Sequence, residues 1–172
     1  MVRILDLTDI AKAVAGDLDN DGDIDVVASS WNNYWEDEQR QGLIWYENDG
    51  NANPSWTAQN IATNADGAWS VYAADMDGDG DMDIVSASEN DDAIAWYKND
   101  GAADPSWSAA DIATSADGAQ FVFAADMDSD GDLDILSASE NDDAIAWYES
   151  GVDNTAPTIS SVSLSADNAT IA

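Results

Sequence analysis

The chain of 172 residues contains no cysteine, no histidine, and only four lysines and arginines together. Without cysteine there are no disulfides and no thiolate chemistry. Without histidine as well, zinc, copper and haem sites of the usual kind are not expected. The same absences remove every Ser-His and Cys-His arrangement. Four basic groups are too few to track a phosphate backbone, so nucleic acid is excluded as a partner and an anionic membrane surface is disfavoured. No run of 18 apolar residues occurs, so no membrane insertion is expected. The opening MVRILDLTD is too short and too acidic for a signal peptide; if the protein is exported, its signal is expected to lie upstream or to have been removed.

Carboxylates are abundant. The chain has 36 Asp and Glu and a formal charge of −32. A balance this acidic usually marks a disordered tail. Eight Trp and five Tyr, however, carry too much apolar surface for a solvated coil, so the chain is expected to fold. Something must then offset the charge, and a metal cation is the economical candidate.

The acids are patterned. DLDNDGDID (17–25), DMDGDGDMD (75–83) and DMDSDGDLD (126–134) each place Asp at every second residue with Gly at the sixth. Together they hold 15 of the 36 acids, five per loop. The second and third loops start 51 residues apart, and residues 45–95 match 96–146 at most positions. The first loop starts 58 residues before the second, and the extra seven residues fall between Ser29 and Trp45. Internal repetition of this length decides the fold class.

Within the second repeat four short strands are expected, at 69–75, 83–88, 93–99 and 106–113, separated by the Asp loop, ENDD and DGAADP. Four antiparallel strands per 51 residues, with no helical period, indicate an all-β fold of β-propeller blades. A β-sandwich is the weaker alternative. Antiparallel order puts the three Asp loops on one rim and the inserted segment 31–41 on the opposite rim.

The loop chemistry suits a hard divalent cation, which takes about 6–8 oxygen ligands at about 2.3–2.6 Å when it is calcium. In the second copy Asp75, Asp77 and Asp79 can turn inward, Gly80 allows the sharp turn with positive φ, Asp81 offers its backbone carbonyl, and Asp83 closes the cage with both oxygens. The equivalents are Asp17, Asp19, Asp21, Gly22, Asp23 and Asp25, and Asp126, Asp128, Asp130, Gly131, Asp132 and Asp134. An EF-hand would end with Glu at position 12 between helices; here that position is Ala28, Ser86 or Ser137 and the flanks read as strands. Magnesium seldom uses an all-protein cage, so calcium, about three ions, is the expected cofactor. A single Asp run would read as a solvated acidic face; three copies with glycine in register read as metal sites.

The D-x-D-x-D-G-x-x-D loop, the preceding apolar strand (VYAAD, FVFAAD) and the D-[IL]-x-x-A-x-E-N…WYEN continuation resemble the FG-GAP/VCBS repeat family, whose calcium-loop blades also build integrin α-subunit propellers. The resemblance covers about residues 10–150. It implies an extracellular or cell-surface location, a propeller usually of seven blades, and a role in adhesion, in carbohydrate or protein recognition, or as a scaffold. Three repeats are fewer than a closed ring needs, so a partial propeller from a longer protein is expected, with further blades of the same parent chain as partners. The organisation expected is an outer strand of a preceding or closing blade at 1–9, blades at 10–66 and 67–117, an incomplete third blade at 118–150, a linker at 151–157, and the start of an immunoglobulin-like module at 158–172.

Trp45, Trp96 and Trp147 recur at one repeat position, as do Trp56 and Trp107, which reads as packing between blades. Trp31, Tyr34 and Trp35 lie in the insertion, outside the repeat pattern, and are candidates for contact with a glycan or protein ligand; the bland reading is that they cap a blade edge. A non-catalytic recognition module is therefore expected. The alternatives are a structural spacer in a large surface protein and a non-catalytic part of a polysaccharide-acting enzyme. The repeated glutamates Glu89 and Glu140 are the one conceivable carboxylate pair for glycoside cleavage, but their identical SASENDDAIAWY settings argue against it.

Overall fold

The computed structural model describes residues 10–31 and 42–151. The readings placed on 1–9, on Tyr34 and Trp35, on the rest of the insertion and on 152–172 lie outside the described residues. Among those described there are eleven strands and no helix, hence none long and apolar enough to cross a membrane.

The strands form three antiparallel sheets, each a meander in chain order. The first holds β1 (Ile10–Gly16), β2 (Asp25–Ser30), β3 (Gly42–Asn48) and β4 (Trp56–Ala62). The second holds β5 (Ala68–Ala74), β6 (Asp83–Ser88), β7 (Ala93–Asn99) and β8 (Trp107–Ala113), within one residue of the strands expected from the sequence. The third holds β9 (Ala119–Ala125), β10 (Asp134–Ser139) and β11 (Ala144–Tyr148). This is the expected all-β arrangement of propeller blades, and no sheet closes into a barrel.

The blades stack face to face, which explains their composition. Leu18, Val27, Leu43 and Trp45 of the first blade pack against Val71, Ile84, Ala95 and Tyr97 of the second. Met76, Val85, Ile94, Trp96 and Ile112 on the other face of the second blade pack against Val122, Ala124, Ile135 and Tyr148 of the third. Each fully buried Leu, Ile or Val contributes about 1.5–3 kcal/mol. Because the middle sheet is covered on both faces, all six residues of β6 (DIVSAS) are buried, Ser86 and Ser88 included. Trp45 and Trp96 are buried in these layers, as packing between blades requires.

The third blade differs. Met127 and Ile145 are 49% and 56% exposed, whereas the equivalent Met76 and Ile94 are 5% and 0% exposed, and Leu18 and Leu43 are both 0% exposed. No described residues cover that face. On the inner strands, Lys12, Ser70 and Phe121 occupy one repeat position. The Lys12 ammonium donates to Ser70 Oγ (3.2 Å) and lies 5.3 Å from the Phe121 ring centroid. The Val122 amide also donates to Ser70 Oγ (3.2 Å), so this position ties all three first strands together.

Each first strand carries a bulge, seen where the register skips between Ile10 and Lys12, between Ala68 and Ser70, and opposite Ala138 and Ser139. Such bulges increase local twist. The first connections leave one end of the sheets. Trp31, at the other end, stacks on Trp69 with ring centroids 5.6 Å apart.

Candidate metal centres

Each Asp loop leaves the end of a first strand and returns into a second. Its shape comes from short hydrogen bonds between side chains and nearby amides. The first Asp of each loop accepts the amide of the sixth-position glycine: Asp17 from Gly22 (3.1 Å), Asp75 from Gly80 (3.0 Å) and Asp126 from Gly131 (3.2 Å). Those glycines have φ of +94°, +98° and +104°, as the sequence predicts, and a Cβ there would touch nothing within 4 Å. The requirement for glycine is thus purely conformational. Position four is also left-handed, at Asn20 (+59°), Gly78 (+71°) and Ser129 (+67°), which the sequence does not announce because the three residue types differ. Further Asx-type bonds run from Asp21 N to Asp19 Oδ1 (3.2 Å) and from Asp23 N to Asp21 Oδ1 (2.8 Å), with equivalents in the third loop.

These turns gather carboxylates. Asp17, Asp19 and Asp21 each place an oxygen within 4.8 Å of the others, as do Asp75, Asp77 and Asp83, and Asp126, Asp128 and Asp134. Each of the three clusters can hold a metal ion. The fifth-position Asp79 and Asp130 and the ninth-position Asp25 stand outside these closest triplets. The seventh-position Asp side chains are outside them too. Asp23 and Asp81 instead lie against the third connection, so close that a Cβ at Gly50 or Gly101 would come within 2.0 or 2.2 Å of their carboxylates.

The ninth-position Asp has a bracing role of its own. Asp25, Asp83 and Asp134 are completely buried, and both oxygens of each already accept backbone amides. One amide comes from the second loop residue: Leu18 (3.2 Å), Met76 (3.1 Å) or Met127 (3.0 Å). The other comes from the end of the third strand or just after it: Asn48, Asn99 or Ser150, each at 2.8 Å. Any metal bond therefore uses the remaining lone pairs of oxygens that brace the blade.

A sequence profile of the FG-GAP-like repeat matches residues 17–86 and 75–137, each match spanning from one Asp loop past the next. The chain belongs to the FG-GAP-like repeat family. No curated protein and no solved structure gives a significant match.

In the loops of these FG-GAP-like repeats a few carboxylates hold their protons more tightly than usual. Burial raises the proton affinity of Asp19, and the charges of Asp21, Asp25 and Glu47 add to it. Burial raises Asp25 in the same way, and pushes Asp83 up to about 6 despite its two amide donors. The Trp45 and Trp96 indole N–H groups stand beside Asp25 and Asp83 and favour their carboxylates, but at geometry outside a hydrogen bond. Asp17 Oδ1 and Asp77 Oδ1 are buried oxygens with no hydrogen-bond partner. Orphaned carboxylate oxygens inside an all-oxygen donor set are what a hard cation satisfies, so the residues fit one.

The raised pKa of Asp83 has a definite sign. Its folded pKa lies above the unfolded value, so folding favours the protonated form. That stability is present in full below about pH 4 and is lost as pH rises through 6. It amounts to no more than about 3 kcal/mol, and to less where solvent at the exposed residues 78–80 of the same loop screens the site. In the presence of chelator, thermal melting is expected to show a higher midpoint at pH 5 than at pH 7. A midpoint that rises over this interval would refute the assignment.

The first two loops are also coupled. The buried Asn99 amide donates to Leu18 O (2.7 Å) in the first loop and to Met82 O (3.1 Å) in the second, and Asn20 Nδ2 donates to Asp81 Oδ1 (2.6 Å). Among the described residues the side chain of Asn48, the equivalent of Asn99, bonds within its own blade, donating to Ile24 O (3.0 Å) and accepting from Gly50 N (3.1 Å). Asn99→Ala leaves two carbonyls unpaired, at least one in a buried setting, and is expected to cost about 2–4 kcal/mol. Asn48→Ala, at a more exposed site, is expected to cost about 1 kcal/mol. Urea melts of the two variants read the difference.

Proposed function

We propose that this chain is a calcium-stabilised, non-catalytic repeat module of a secreted or cell-surface protein. The observation that carries this reading is the threefold recurrence of a carboxylate cluster at the same strand-to-strand connection, with buried, unpartnered oxygens at Asp17 and Asp77. In this reading the first, third and fifth carboxylates, the seventh backbone carbonyl and the ninth carboxylate surround the ion. Calcium is favoured over magnesium because it tolerates an irregular, crowded, all-protein oxygen set. Three ions would bring the formal charge from −32 to −26.

A non-catalytic role is supported by the repeated glutamates. Glu89 accepts the Trp69 indole N–H, and Glu140 accepts the amide of Gln120, the residue equivalent to Trp69. Both brace the turn of their own blade. Further blades as neighbours are supported by the bare Met127 and Ile145, since the same positions are covered wherever a next blade follows. A recognition role through the insertion receives one structural anchor: Trp31 is 40% exposed while stacked on Trp69. The purely architectural alternative is separated by glycan-array binding of the parent protein, with and without Trp31→Ala.

Metal analysis of protein purified in calcium and desalted tests the central claim. Between two and three calcium ions per chain are expected. Less than one would overturn it.

A further inference from the structure

We infer that the three cages are inequivalent, and that Lys98 acts as an internal cation of the second, so that calcium binds there at least about tenfold more weakly than in the first and third. This rests on the calcium reading above. Lys98 is the sixth residue of β7. Its ammonium is ion-paired with Asp77 Oδ2 and lies 3.1 Å from Asp79 Oδ2. Both acceptors belong to the second loop, and the Asp77 side chain is 5% exposed while that of Lys98 is 40% exposed. The charged head therefore reaches from a solvent-facing stem into the carboxylate cluster.

The other two repeats have the opposite charge at this position. The motif reads WYEN at 45–48, WYKN at 96–99 and WYES at 147–150, so Glu47 and Glu149 stand where Lys98 does. Their charges act on Asp19 and Asp128, the third-position carboxylates of the first and third loops. Asp77 is the same position of the second loop. One side chain thus sets a two-unit difference in charge beside loops whose aspartates occupy the same sequence positions. An entering divalent ion must break the Lys98 pair and then tolerate the displaced ammonium nearby. In the first and third loops it meets an extra carboxylate instead. Asp77 keeps one buried oxygen with no partner, so the second cage remains a site for a cation, with part of its demand already met.

The test is calorimetric titration of calcium chloride into chelator-stripped wild type, Lys98→Met and Lys98→Glu. Wild type is expected to show two tight sites and one at least about tenfold weaker. Lys98→Met should narrow the gap, and Lys98→Glu should bring all three sites into one class. Hydrogen exchange of the 75–83 segment, followed during the titration, identifies which loop fills last. Three equal sites in wild type, or a weak class unmoved in both variants, overturns the inference while leaving calcium binding intact. Absence of binding heat in all three proteins overturns the calcium reading and this inference with it. Lys98→Met removes the ammonium without adding a charge, so it remains decisive if Lys98→Glu fails to fold.

Discussion

Calcium added to chelator-stripped protein is expected to raise the thermal midpoint by more than about 10 °C, and an equal concentration of magnesium by less than a third of that. Each ion that binds only the folded chain stabilises it by about 2.7 kcal/mol at a hundredfold excess over its dissociation constant. For a chain of this size each kcal/mol moves the midpoint by roughly 2–4 °C, so even two filled cages exceed ten degrees. The expectation follows from the clustering of three carboxylate oxygens within 4.8 Å in each loop, where like charges repel and a divalent ion reverses the sign of the interaction. Magnesium holds its water and demands a regular octahedron, so it gains less from these loops. Differential scanning calorimetry with calcium, magnesium and chelator reads the effect. A melting curve indifferent to chelator would remove the cages from any account of stability.

The second large effect is expected from Asp83→Ala, which should cost about 3–5 kcal/mol and do so with or without calcium. Asp83 is completely buried and accepts the amides of Met76 and Asn99, so its loss strands two backbone donors at the junction of loop, first strand and third strand. Asp77→Asn makes the contrast. Asp77 accepts from Lys98 through Oδ2 and leaves its buried Oδ1 unpaired among the described residues, so this variant is expected to lose calcium affinity while sparing the metal-free fold. Denaturant melts in chelator separate the two roles. If Asp83→Ala were silent there, the ninth position would be a ligand and nothing more.

These two residues also show how far the sequence could be read. The strands of the second repeat and the glycine with positive φ follow from spacing and residue type, because each is a local matter. The bracing by Asp83 does not, since its partners at Met76 and Asn99 come together only when three strands are in register. The skipped residues Trp69, Gln120 and Ile112 are hidden for the same reason: a bulge is a property of pairing and leaves no composition behind. Lys98 is visible as a basic residue in a repeat position otherwise held by Glu47 and Glu149, yet its meeting with Asp77 and Asp79 shows only once strand and loop are placed side by side. The left-handed residues Asn20, Gly78 and Ser129 escape because no single residue type marks them.

The face bearing Met127 and Ile145 has a geometric consequence. The two sides of every sheet here differ, one receiving the preceding blade and the other awaiting the next. Contact between blades is therefore head to tail. Placing one more repeat of this design on that face would hide Met127 and Ile145 and present a new pair like them one step further along. Such an array has no natural stopping point of its own: it ends when the turn per unit brings last against first, or when something unlike the repeat seals it.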